Sequence, residues 1–207
     1  MGSPDQELAL LLILAGPTGT GKSTLCSRMT DKYTRIQRVI TSTTRPPREG
    51  EIDGVDYFFF SNEVFDQMIE EGAFYEYAQV HSHNHRYGTL KAEIQEKLSQ
   101  NQDLIMNIDV QGVAAFQREA EKDALLNQRL VTVFLMPPSL DEIERRLIDR
   151  GKEDRAAIDH RLESAQKEMP LWDQYDFCLI SGTKEEDFSR LESIWKAEKL
   201  RVARLTE

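Results

Sequence analysis

Apolar runs of strand length alternate along the chain with stretches whose apolar residues recur at helical spacing. Residues 9–15, 104–108, 130–136 and 177–180 read as strands. Residues 23–33, 90–100, 113–123, 140–150, 156–168 and 185–205 read as helices. Strand and helix taken in turn predict a parallel sheet joined by crossover helices. Pro137-Pro138-Ser139 marks a helix start, with Ser139 as cap and Glu142 completing a capping box. In the last helix Leu191, Ile194, Trp195 and Leu200 form an apolar stripe, predicted to pack on the core.

One region breaks the alternation. Residues 41–89 are rich in Thr, Tyr, Phe, Gly and Pro, with β-like pieces at 57–60 and 75–80 and a short helix at 62–71. This reads as a lobe inserted into a core made of residues 1–40 and 90–207. A second irregular piece, 151–159, is highly charged and reads as a mobile lid, within a lid region of about 146–161. There is no internal repeat.

Composition narrows the possibilities. A chain of 207 residues, 40% hydrophobic and 30% charged, suits one α/β domain with small insertions. A net charge of −10 argues against a nucleic-acid partner. It does not exclude a nucleotide, because a few local cations in a cleft suffice for phosphates. Cys26 and Cys178 lie far apart in sequence and both read as buried, reduced thiols. The run at 8–15 is too short to span a bilayer, and Asp5 and Glu7 before it make a poor signal peptide. The expected location is the cytoplasm, with no membrane partner.

The chemistry begins at Gly16-Pro17-Thr18-Gly19-Thr20-Gly21-Lys22-Ser23, followed by Thr24. The segment fits a phosphate-cradling loop, and it sits where that motif must, between a strand and a helix. Its glycines let several amides face one anion, and the helix start adds the positive end of its dipole. Lys22 would reach the β- and γ-phosphates of a nucleoside triphosphate, and the Ser23 hydroxyl would help hold Mg²⁺. Further on, Arg45-Pro46-Pro47-Arg48 offers two planar guanidinium forks on a rigid turn, suited to one phosphate group. Gly54-Val55-Asp56-Tyr57, Phe74-Tyr75-Glu76-Tyr77-Ala78 and Tyr87-Gly88-Thr89 add hydroxyls and a carboxylate to the same lobe. His81, His83 and His85 would share one face of an extended segment, which reads as a solvent-exposed loop rather than a metal site.

Taken together, these motifs resemble the guanylate kinases, over roughly residues 10–199. The likeness rests on the loop, on Ser42-Thr43-Thr44-Arg45, on the tyrosine turns, on Ile108-Asp109-Val110-Gln111-Gly112, and on an arginine-rich helix and lid. It implies an α/β fold: a parallel sheet of the P-loop NTPase type flanked by helices, with an inserted mixed α/β GMP-binding lobe and a short helical lid. It implies Mg²⁺-dependent transfer of the ATP γ-phosphate to GMP, with dGMP as a second acceptor, by a monomer or homodimer. Residues 16–24 would bind ATP. Thr41, Glu76, Thr89 and Asp109 would surround guanine, and Arg45, Arg48, Tyr57 and Tyr87 would hold the GMP phosphate. Arg146, Arg150 and Arg161 would join Lys22 and Arg45 on the reacting phosphates. Guanine chemistry agrees, since its N1–H and N2–H₂ donors need acceptors such as Glu76 and Asp109.

The chain departs from the family pattern in several places. Asn107 stands where the family usually carries an acidic or other residue, Ser181-Gly182 replaces an Asn-Asp pair near adenine, and the lid lacks the usual threonines. The histidine segment is about two residues longer than the common form. Two other readings compete. A kinase for another small phosphorylated substrate need not carry Thr41, Glu76, Thr89 and Asp109 together. A catalytically silent binding module of the same fold need not keep Lys22, Ser23 and the loop glycines intact.

Overall fold

The structure, a computed structural model, describes residues 7–80, 85–151 and 154–205. The first apolar run becomes strand β1, Leu11–Ala15, with every residue buried. Ala9, Leu11, Ile13 and Ala15 enter one core, while Leu10, Leu12 and Leu14 enter another. A strand that feeds two cores has no solvent face, so its sequence shows no polar alternation.

The chain continues through helix α1 (Lys22–Lys32) and strand β2 (Ile36–Arg38) into β3 (Ser42–Thr43), β4 (Phe58–Phe59), α2 (Asn62–Glu70), β5 (Phe74–Val80) and β6 (His85–Leu90). It returns through α3 (Lys91–Ser99), β7 (Asp103–Asn107), α4 (Val110–Ala120), α5 (Ala124–Arg129) and β8 (Leu130–Met136). Helices α6 (Leu140–Arg150) and α7 (Arg155–Glu168), a 3₁₀ turn (Met169–Gln174), β9 (Phe177–Ile180) and α8 (Lys184–Lys199) follow.

Five strands form one sheet in the order β2-β7-β1-β8-β9, with every pairing parallel. Helices α3, α4 and α5 cover one face through Ile94, Leu98, Val113, Phe116 and Leu126. Helices α1 and α8 cover the other through Leu25, Met29, Leu191 and Trp195. Because the strands are parallel, the turns after them all emerge at one edge of the sheet, where ligands of such folds gather.

A second, mixed sheet of order β4-β3-β6-β5 stands beside the first. Phe65 of α2 stacks on Phe74 with ring centroids 4.5 Å apart. Tyr75 of β5 is buried in the main core, 5.0 Å from the Phe116 ring. That side chain helps fasten the second sheet to α4.

Several expectations are corrected. The helix at 185–205 ends at Lys199, and Leu200 is exposed. Ser139 caps α6 by accepting from the Glu142 amide at 3.1 Å, but the Glu142 carboxylate turns to Arg145 and Arg146 instead of closing a capping box. The reciprocal box is at Thr183 and Glu186, heading α8. The irregular lid is also shorter than its charges suggested. Gly151, with φ 61°, ends α6, and Asp154 caps α7, so Arg155 and Asp159 pair along a helix. Cys26 is buried, its thiol pushed up to about 12 by that burial, whereas Cys178 on the edge strand β9 is exposed. His81 and His83 lie outside the described residues, and His85 opens β6. Among the described residues, no helix is long and apolar enough to cross a membrane.

At the opposite edge of the sheet, the fully buried Asp103 gathers four donors. It accepts from the Leu10 amide at 2.7 Å, Lys199 Nζ at 2.6 Å and Trp195 Nε1 at 3.0 Å, with Arg35 Nε at 3.2 Å. Burial holds the Lys199 ammonium below its ordinary range. Removing one partner leaves the other charge buried and alone. Asp103→Ala is therefore expected to lose about 3–5 kcal/mol of stability, measured by urea unfolding. A loss within that of ordinary surface substitutions would contradict this account.

Candidate active site

The loop after β1 is built around three glycines in left-handed backbone, Gly16 (φ 125°), Gly19 (φ 90°) and Gly21 (φ 95°). At Gly16 a Cβ would lie 2.4 Å from the Leu135 carbonyl oxygen, so the loop can leave the sheet this close to β8 only without a side chain. Thr20 is buried and donates to the Pro17 carbonyl at 2.9 Å, which closes the loop; its hydroxyl faces inward. Gly21 caps α1 with no side chain of its own, so the first-turn amides have no side-chain acceptor from the cap. Lys22 Nζ donates to the carbonyls of Gly16 at 2.6 Å and Pro17 at 2.9 Å, which folds the ammonium over the loop. Ser23 and Thr24 are exposed at the helix head, and Thr18 is half-buried.

Two clefts open at this edge of the sheet. The smaller, about 550 Å³, lies beside the loop. Gly19, Gly21 and Thr24 line one side, with Arg146, Gly182 and Asp187 among the others. Arg146 spans it. Its Nε donates to Glu142 at 2.7 Å, and its Nη1 donates to Ser181 Oγ at 3.1 Å and the Gly19 carbonyl at 3.4 Å. The Ser181 hydroxyl is thus engaged and buried. The guanidinium groups of Arg145 and Arg146 hold the Glu142 carboxyl down at about 2.

The larger cleft, about 840 Å³, lies between the two sheets. Thr41, Tyr57, Glu76, Tyr87, Asn107 and Asp109 all line it. Thr89 is fully buried and reaches the cleft only through Glu76, donating to Oε1 at 2.6 Å. Burial pushes the Glu76 carboxyl above its ordinary range, against the Thr89 hydroxyl, while the Asp109 charge adds to the rise. Asp109 caps α4, its Oδ1 accepting from the Gly112 amide at 2.7 Å. Asn107 Oδ1 is buried without a hydrogen-bond partner.

Arg45 backs this cleft. Its guanidinium lies over the rings of Tyr57 (5.4 Å) and Phe59 (5.8 Å), both of the lobe. It pairs with Glu51 at 2.8 Å and bonds the Pro46 carbonyl at 2.8 Å. Glu51 and Tyr87 hold its charge firmly in place, raising its pKa. Arg48 is exposed and lines neither cleft. Arg161, half-buried on α7, also lines neither, and the Arg150 side chain falls outside the described residues.

Four site residues carried no signal in the sequence. Glu51 meets Arg45 only because the proline turn folds back. Arg145, like Arg146, pairs with Glu142 at 2.8 Å and lines the smaller cleft. Asp187 reaches that cleft from α8. Glu168, at the end of α7, has its carboxyl pushed up by burial, with Lys22 acting in the opposite sense and Asp109 in the same one.

An all-parallel sheet whose first strand runs into such a loop defines a phosphate-loop nucleotide-binding protein. A second cleft at the same edge, with its own caged arginine, suits a phosphotransferase acting between two phosphorylated substrates. A family model described as guanylate kinase matches residues 9–198. The guanylate kinase of Clostridioides difficile (strain 630) is 37% identical over 94% of this chain and 91% of its own length. That of Syntrophotalea carbinolica is 39% identical over 95% of this chain and 89% of its own. The crystal structure of guanylate kinase from Anaplasma phagocytophilum superimposes with a TM-score of 0.72 at 26% identity, covering 98% of this chain and 92% of that one. The chain belongs to the guanylate kinase family and is a nucleoside monophosphate kinase that phosphorylates GMP.

Two outcomes follow from the geometry. Gly16→Ala is expected to cost about 1–3 kcal/mol from backbone strain alone, with the Leu135 clash added, measured by urea unfolding. Glu76 holds its proton to higher pH folded than unfolded. Its penalty is therefore absent below the ordinary value of 4.5 and grows as pH rises through the raised one. Glu76→Gln in the ligand-free protein is expected to melt higher than wild type at pH 8, with the gap shrinking toward pH 5. A constant gap in thermal melts would refute this.

Proposed function

We propose that the larger cleft is the GMP site and that the smaller one, with the glycine loop, is the ATP site. The observation that carries this reading is the acceptor wall of the larger cleft: Glu76, desolvated and fixed by Thr89, with Asp109 beside it. An ionised carboxylate only accepts hydrogen bonds. Guanine presents two adjacent donors, N1–H and N2–H₂, and fits that wall. Adenine presents N1 as an acceptor there, and two acceptors facing each other leave both unpaired at a cost. Thr41 adds a hydroxyl on the same cleft. Arg45, held over Tyr57 and against Tyr87, would take the GMP phosphate, and Arg48 would join it from the exposed turn.

In transfer, an oxygen of the GMP phosphate forms a bond to the γ-phosphorus, and the bond from that phosphorus to the bridging oxygen of ATP breaks. The electron pair leaves on the β-phosphate of ADP. The attacking oxygen is already anionic, so no general base is required. What the chain supplies is alignment and cancellation of repulsion between two polyanions. Lys22 would leave the Gly16 and Pro17 carbonyls for the β- and γ-phosphates. Arg146, poised against the loop, would turn to them, with Arg150 and Arg161 approaching from the lid region.

The donor set suits Mg²⁺ as a partner of ATP. Ser23 offers an exposed hydroxyl at the head of α1, and Asn107 Oδ1 is an unpartnered oxygen suited to a metal-bound water. Among the described residues, no group of three or more His, Cys, Asp or Glu could hold a metal ion, which fits a cation carried mainly by phosphate oxygens. When bound, it would neutralise phosphate charge.

A coupled assay with ATP across GMP, dGMP, AMP, CMP and UMP is expected to show preference for the guanine nucleotides. Equal rates with AMP would refute the site assignment. Glu76→Gln should narrow the GMP-to-AMP ratio of kcat/KM while leaving the KM for ATP in place. Arg45→Lys loses the planar fork and should raise the KM for GMP roughly tenfold or more, again with the ATP KM unmoved. A parallel rise in both would place Arg45 elsewhere in the reaction.

A further inference from the structure

Asp187, in the first turn of α8, is only 5% exposed yet lines the smaller cleft with Gly21, Thr24, Gly182 and Thr183. Its Oδ2 accepts from Ser181 Oγ at 2.9 Å and its Oδ1 from the Gly182 amide at 2.8 Å. Both donors are neutral. Ser181 Oγ in turn accepts from Arg146, so the carboxylate is clamped in one orientation. It sits in the positive field at the amino end of α8. Each carboxylate oxygen has two acceptor positions, so the two recorded bonds leave one position on each. A buried anion with neutral partners and spare acceptor capacity, facing a cleft beside a phosphate loop, is built to take a donor from a ligand.

We propose that Asp187 reads the base of the phosphoryl donor, accepting a hydrogen bond from the 6-amino group of adenine. The inference rests on the smaller cleft being the ATP site. It makes Asp187 a specificity-determining residue supplied by a helix on the far side of the sheet from α4, and it ties base recognition to Arg146 through Ser181. A base with an oxo group in the same place would set an acceptor against the carboxylate and be rejected. A base with only hydrogen there would leave the carboxylate unmatched.

The test uses three donors with GMP held constant: ATP, purine riboside triphosphate (hydrogen at position 6) and ITP (oxo at position 6). In the wild-type enzyme, kcat/KM should fall on the order of ten- to a hundredfold for purine riboside triphosphate, and further for ITP. Asp187→Asn keeps an acceptor for the Ser181–Gly182 turn and adds a donor for an oxo group. It should compress or invert the ATP-to-ITP preference while the KM for GMP stays within twofold of wild type, roughly the spread expected of a remote substitution. Purine riboside triphosphate used as well as ATP, or an unchanged ATP-to-ITP ratio in Asp187→Asn, overturns the proposal. Thr24→Trp separates the two levels of failure, because Thr24 is exposed and at the mouth of the same cleft. If it raises the KM for ATP while Asp187→Asn leaves the ratio unchanged, only the role of Asp187 fails. If it leaves the KM for ATP unmoved, the ATP-site reading fails with it.

Discussion

The Asp103 carboxylate sets the frame for everything at the other end of the sheet. It is fully buried, and it holds the backbone ahead of β1, the last turn of α8 and Arg35 ahead of β2 in one ion-paired knot. Buried ion pairs of this kind add little net stability, since desolvation opposes attraction, but they penalise every other arrangement of their partners. Here that penalty fixes β1 against β7 in the register Leu11 to Leu104. Three residues further along, Leu14 still faces Asn107, so the glycine loop and the Ile108-Asp109 turn leave the sheet at matched heights.

The two clefts share one physical theme. Each holds a carboxylate in a desolvated position, Glu76 in the larger and Asp187 in the smaller, steadied by a hydroxyl from a neighbouring strand or turn. A stability-optimised protein would avoid such groups, because an anion out of water is costly until a donor meets it. Their place at the clefts is where a ligand's donor could offset that cost. The cations are handled in the opposite way. Lys22 rests on loop carbonyls and Arg45 on Glu51, so charges suited to polyanionic substrates stay satisfied before substrates arrive.

Much of the core is legible because its central strands β1, β7 and β8 are buried on both faces. Residues 130–136 are apolar but for the buried Thr132, residues 177–180 are apolar throughout, and both strands begin and end where that pattern does. β2, β3 and β6 gave no such signal. β2 buries one residue of three, β3 is two residues long, and β6 takes its partners from β3 and β5 across the lobe. The charged segment 151–159 shows no helical apolar pattern in sequence, yet from Arg155 it is helix, where Arg155 and Asp159 fall one turn apart and pair. Arg48 shows the same limit at the site. Its residue type suits a phosphate fork, but only the fold shows that Arg45 is caged and Arg48 is out in solvent.

By itself the sequence determined the parallel sheet, the phosphate loop and the family, because each is written in contiguous residues whose spacing has one physical use. The tertiary structure decided which side chains share a cleft. Thr89 meets Glu76 across a strand pair, Glu51 meets Arg45 around a proline turn, and Asp187 meets Ser181 from the start of a helix. Those partnerships depend on the angle at which a chain returns to itself, and that angle is set by packing at distant positions such as Tyr75 on Phe116.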